Sequence, residues 1–169
     1  SGLYEEYFAD LKNMGVPFLP YETYGRSPLE NSSFLVSSAN FNEKIHGKGF
    51  VARLSGSTAE FLQMWELMMN GEKLFTMQDG TLTFKLAPAI PAYLVKDDGK
   101  VETMLFGKIK VVYDCGSKRD LIPGQYAVTK YELVAADGSI ESCEAATVSG
   151  EAAQRIRDGK AAEIRVTIQ

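Results

Sequence analysis

The residues best placed to do chemistry are Leu54-Ser55-Gly56-Ser57-Thr58. They stand where an apolar helical stripe begins. Hydroxyls, a glycine and unpaired backbone amides at the positive end of a helix bind anions, phosphate above all, without a net basic charge. Gly56 lets the backbone approach a ligand closely. The same residues also make an ordinary capped helix. Ser57-Thr58-Ala59-Glu60 reads as a capping box, with Ser57 accepting from the Glu60 amide and the Glu60 side chain reaching back.

Other candidates are more scattered. Arg26 and Arg53 suit a phosphate or carboxylate, or a surface ion pair. Glu22 and Glu30 lie near Tyr21, Tyr24 and Asn31, a mixture that suits sugars. A glycosidase carboxylate pair is defined by its separation in space, which spacing along the chain does not give. His46, in Ile45-His46-Gly47-Lys48-Gly49, reads first as a hydrogen-bonding loop residue. There is no nucleotide-binding glycine loop, nucleophile elbow or HExxH. No metal site and no cofactor are expected.

The elements that must hold these residues follow from periodicity. Leu3, Tyr7, Phe8 and Leu11 recur at helical spacing, with Gly15 and Pro17 as the stop. Residues 17–49 read as a long loop whose many apolar residues (Phe18, Leu19, Tyr21, Tyr24, Phe34, Leu35, Phe41) imply packing on a surface. Phe61, Leu62, Trp65, Met68 and Met69 mark one face of a second helix, read as core, and Gly71 ends it. Beyond it the period becomes two, at 81–86, 108–113 and 129–134. Asp79-Gly80, Asp98-Gly99 and Asp137-Gly138 are turn signals. Ser149-Gly150-Glu151 opens a short helix with Ala153 and Ile156 inward, Gly159 closes it, and 162–168 reads as a last strand.

Composition narrows the classes. Against 22 acidic residues stand 18 basic ones, unclustered, so nucleic acid is not an expected partner. Apolar runs are too short for a membrane span, and the acidic start lacks a signal-peptide pattern. Cys115 and Cys143 are expected as free thiols in a reducing, cytoplasmic setting.

Two stretches resemble a known family. Gly25-Arg26-Ser27-Pro28-Leu29-Glu30-Asn31-Ser32-Ser33-Phe34 and Gly49-Phe50-Val51-Ala52-Arg53-Leu54-Ser55-Gly56-Ser57-Thr58-Ala59-Glu60-Phe61 look like the C-terminal part of the cellobiose-phosphorylase-like enzymes, glycoside hydrolase family 94 and its relatives. There a Trp-Leu-Thr-Gly-Thr-Ala motif opens a late helix of an (α/α)6 barrel. Arg53 stands where the family has Trp. Leu86-Ala87-Pro88-Ala89-Ile90-Pro91 resembles the family's Asp-Pro-Cys-Ile-Pro segment, and Phe106-Gly107-Lys108-Ile109 resembles the strand entering its C-terminal jelly roll. The likeness spans roughly residues 20–115.

The resemblance implies an α+β chain. Residues 1–71 would be terminal helices and a loop from the edge of the catalytic α/α barrel, and 72–169 an antiparallel jelly-roll-like β-sandwich. It implies reversible, inverting phosphorolysis of a β-glycosidic bond, with inorganic phosphate as co-substrate. Ser55 and Gly56 take the phosphate-holding positions, extended by Ser57 and Thr58, and Arg26, Glu30 and Arg53 are candidate substrate or phosphate contacts. The general acid, an Asp, belongs upstream of this chain, so no catalytic residue and no activity are expected in this piece alone. The expected partners are the rest of the parent chain, a carbohydrate substrate and a homodimer mate. A carbohydrate-binding or docking module, and a hydrolase on the same scaffold, are the competing expectations.

Overall fold

The computed structural model describes residues 2–15, 18–26, 34–51 and 55–169; for 34, 50, 51 and 55–58 the backbone alone is described. The chain is α+β and divides into two compact units, Ser1–Trp65 and Glu66–Gln169. The division falls inside a helix, ahead of the 71/72 boundary expected from the change of period.

In the first unit, α1 (Tyr4–Met14) carries Glu5 and Glu6 in its first turn and Lys12 in its last, signs that suit the helix dipole. It buries Phe8 and Leu11, the inner half of the predicted stripe. The region read as a long loop holds small elements. A single helical turn, α2 (Tyr21–Tyr24), follows Pro20 and ends at Gly25, whose φ of 82° only glycine adopts cheaply. Two short strands, β1 (Phe34–Leu35) and β2 (Gly49–Val51), pair antiparallel. Between them, the Asn40 and Asn42 side chains each accept a backbone N–H two residues on, and a 3-10 turn spans Glu43–Ile45. These asparagine turns compete locally with regular structure, which is why periodicity fails there. Of the apolar side chains expected to pack, Tyr24 is fully buried, but Phe18, Leu19, Tyr21 and Leu35 are exposed and Phe41 is 98% exposed.

The helix α3 (Ser55–Asn70) crosses the division. Its stripe is only partly core. Met68 and Met69 are buried, Phe61 and Trp65 are half-buried with rings stacked at 6.2 Å, and Leu62 is exposed.

The second unit holds two open sheets and a helix. One sheet joins β3 (Phe75–Gln78), β4 (Thr81–Phe84) and β9 (Val148–Ser149) in the order β3-β4-β9. The other joins β5 (Lys100–Leu105), β6 (Ile109–Asp114), β7 (Val128–Val134), β8 (Ile140–Cys143) and β10 (Glu163–Ile168) in the order β5-β6-β10-β7-β8. The helix α4 (Gly150–Arg157) buries Ala153 and Ile156 as its spacing predicts.

The sheet is mixed rather than wholly antiparallel. β10 runs antiparallel to β7 but parallel to β6. The last strand returns after α4 and inserts between two strands already made, so its direction is set by that crossover and not by a hairpin. The turns at Asp79-Gly80 and Asp137-Gly138 close the β3–β4 and β7–β8 hairpins. Phe106-Gly107 also proves to be a turn, between β5 and β6, with φ of 54° and 63°; the expected strand starts only at Ile109.

The inner face of the larger sheet is apolar: Val101, Leu105, Ile109, Val111, Tyr131, Leu133, Ile164 and Val166 are all buried. Phe84 from the smaller sheet meets Tyr131 edge-on, ring centroids 6.1 Å apart. The outer face carries a chain of ion pairs crossing four strands. Lys96 meets Glu102 at 3.1 Å, Glu102 meets Lys110 at 3.5 Å, and Lys110 meets Glu163 at 3.9 Å. Glu163 then holds Arg165, which reaches Glu132, which holds Lys130, which ends on Glu144. Alternation along each strand separates these two faces.

Candidate functional site

The proposed anion site is the first turn of α3. The helix starts at Ser55, so Ser57 is its third residue and not its N-cap. This corrects the capping-box expectation: an N-cap residue must leave helical φ/ψ, and Ser57 has entered the helix.

The other end of the helix is closed completely. The last four carbonyls all have partners: Leu67 O accepts from Gly71 N at 2.9 Å, Met68 O from Ala89 N at 2.8 Å, and Asn70 O from Ala87 N at 3.0 Å. The Met69 carbonyl accepts from the Tyr113 hydroxyl at 2.7 Å. The segment that supplies Ala87 and Ala89 is itself pinned. Leu86 N donates to the Tyr131 hydroxyl at 3.0 Å, the Tyr126 hydroxyl donates to Pro88 O at 2.7 Å, and Ile90 pairs with Leu121. Burial pushes the Tyr131 phenol up to about 12 and raises Tyr113 well above the ordinary tyrosine value, so both stay protonated at neutral pH.

The remaining candidates do not assemble into one described site. Arg26 Nε donates to Gly49 O at 3.1 Å. Glu30 and Arg53 lie outside the described residues. His46 Nε2 donates to Asn40 O at 2.7 Å, which makes it a loop-bracing residue as read from the sequence. Glu22 is exposed. Among the described residues no group of three or more His, Cys, Asp or Glu could hold a metal ion. Also among them, no helix is long and apolar enough to cross a membrane.

Cys115 and Cys143 are both free thiols. Cys115 is buried, and desolvation pushes it up to about 11 against the pull of Arg119, so it is a poor nucleophile at neutral pH. Cys143 donates to Thr147 O.

Two clefts in the second unit escaped sequence reading. One, of about 410 Å³, lies between the β7–β8 hairpin and the end of α4, with Leu133 and Ile140 in its lining and the Glu141–Arg155 ion pair at its side. The other, of about 290 Å³, is lined by Lys85, Leu86, Pro123, Tyr126 and Val128. No local motif marks either, because each is made where segments far apart in sequence converge. Comparison with family models, curated proteins and solved structures finds no match.

Proposed function

We propose that this chain is the C-terminal part of a carbohydrate-active enzyme resembling the cellobiose phosphorylases. In this reading residues 1–71 belong to the edge of a catalytic α/α barrel, and the two sheets form its jelly-roll-like sandwich. The parent enzyme transfers a glycosyl group to inorganic phosphate with inversion. One observation carries the reading: the motif Ser55-Gly56-Ser57-Thr58, singled out by resemblance, coincides with the first turn of a 16-residue helix. Backbone amides, a helix dipole and a glycine then meet at one end, where an anion is stabilised without a charged side chain.

The role of these residues is positional and electrostatic. They orient the phosphate that attacks the anomeric carbon. Arg26, Glu30 and Arg53 are the further candidate contacts. The general acid is supplied by the barrel, outside this chain. Phosphorolysis by the complete enzyme tests this. Gly56→Val raises the phosphate KM about tenfold, and Ser55→Ala raises it less. Unchanged phosphate affinity in both variants removes the site, and a complete enzyme that hydrolyses without phosphate makes the scaffold a hydrolase instead.

A non-catalytic docking module is the second reading. The exposure of Leu3, Phe18, Tyr21, Phe41 and Leu62 in the first unit favours it, since so many large apolar side chains suit a covered surface. The outer face of the larger sheet offers ion pairs rather than an aromatic platform, which speaks against sugar binding there. Glycan binding by the isolated chain would support an autonomous module over the enzyme reading.

A further inference from the structure

We propose that the free edge of β3 pairs with the β3 edge of a second copy of this chain, across a twofold axis at Thr76. Among the described residues the strand stands at the end of its sheet, next to β4 alone. Its register with β4 sets Gln78 opposite Thr81 around the two-residue Asp79-Gly80 turn, and Thr76 opposite Thr83. In such a hairpin the pair flanking the turn is hydrogen-bonded, and hydrogen-bonded pairs then alternate. Lys85 N donating to Leu74 O at 2.9 Å fits that alternation. Leu74, Thr76 and Gln78 therefore spend their backbone groups on β4, and Phe75 and Met77 aim theirs at the open edge.

Open edges are normally protected by charged residues, proline or a bulge. β5, at one edge of the larger sheet, carries Lys100 and Glu102, and β8, at the other, carries Glu141. Phe75-Thr76-Met77-Gln78 has none of these devices. Thr76, Met77 and Gln78 are exposed, and Met77 is 63% exposed.

The occupant follows from the sequence on either side. Lys73 and Asp79, both exposed, stand three residues before and three after Thr76. A twofold centred on Thr76 sets Phe75 opposite Met77 of the second copy, in hydrogen-bonded pairs. It also sets Lys73 beside Asp79 of the second copy, on both sides of the axis. The neighbouring antiparallel registers that keep the outward groups paired set Lys73 against Met77, or Phe75 against Asp79. Only the Thr76-centred register matches charge with charge and apolar with apolar. The interface is isologous and closes as a dimer.

Thr76 then faces its own copy in a non-hydrogen-bonded pair, with Cα atoms about 4.5 Å apart, within disulfide reach. The test uses the 169-residue chain carrying Cys143→Ala. Sedimentation shows a dimer whose dissociation constant rises at least about tenfold with the exposed-site change Lys73→Glu, which sets like charges opposite each other. Thr76→Cys forms a disulfide-linked dimer under mild oxidation, and Gln78→Cys does not. A monomer at high concentration overturns the proposal, as does a dimer indifferent to Lys73→Glu with Thr76→Cys left uncross-linked.

Discussion

The Tyr113 hydroxyl donates to the Met69 carbonyl across 2.7 Å, joining the middle of the larger sheet to the last turn of a helix 44 residues earlier in the chain. Both residues are buried. A carbonyl at a helix end has no intrahelical partner, so in a dry place it must find a donor elsewhere. Here a phenol supplies it. Tyr113→Phe keeps the ring and leaves that carbonyl unsatisfied. The expected loss is about 1–3 kcal/mol of unfolding free energy, read from urea denaturation with an unchanged slope.

Gly71 offers a sharper backbone test. Its φ is +96°, and an added Cβ would sit 3.0 Å from Ala87 O and 3.1 Å from Ala87 N. Gly71→Ala therefore combines left-handed strain with a clash against backbone that is itself hydrogen-bonded to Asn70. We expect a loss above about 2 kcal/mol. Gly80→Ala, at a φ of +78° with open space around it, is expected to cost only the conformational strain of about 1–2 kcal/mol.

Alkaline pH tests the two buried tyrosines. Burial raises Tyr131 to about 12 and lifts Tyr113 well above the ordinary value near 10. Below pH 10 both are protonated in the folded and unfolded chain, so they add no pH dependence. Above it the unfolded chain releases protons that the folded chain keeps, and stability falls as pH rises from 10 towards 12. Denaturation midpoints measured from pH 8 to about 11 should be level and then decline. Tyr131→Phe should make that decline shallower.

The ion-pair chain on the outer sheet face gives a salt prediction. Glu132 reaches both Arg165 and Lys130, at 3.8 and 3.0 Å. Glu132→Gln divides the chain at its middle. A small drop in melting temperature is expected at low ionic strength, fading towards about 1 M salt, where screening acts within about 3 Å. A drop that survives high salt would mean that packing, not charge, is lost.

Much of the secondary structure was legible locally. Alternation placed β4, β6 and β7, helical spacing placed α1 and α4, and Asp-Gly pairs placed two hairpin turns. The Phe106-Gly107 turn was not, because an aromatic residue at positive φ carries no turn signature and is held by its surroundings. Phe106 stacks on Phe75, ring centroids 6.2 Å apart, a contact between residues 31 positions apart (106 − 75). Ser57, read as the N-cap of α3, lies inside the helix, because Ser-x-x-Glu occurs within helices as well as at their caps. As for the candidate site, sequence supplied Ser55-Gly56-Ser57-Thr58 as a unit on one helix, and Arg26, Glu30 and Arg53 only as residue types.

The amino-acid order by itself determined α1, α4 and the strands β4, β6, β7 and β10, because a two- or 3.6-residue period is a property of neighbours along the chain. Only the tertiary structure decided the strand order β5-β6-β10-β7-β8, the parallel step between β6 and β10, and the partners of the last carbonyls of α3. These join residues tens of positions apart. Their energies depend on which buried groups meet and which polar atoms would otherwise go unpaired, and no local pattern records that.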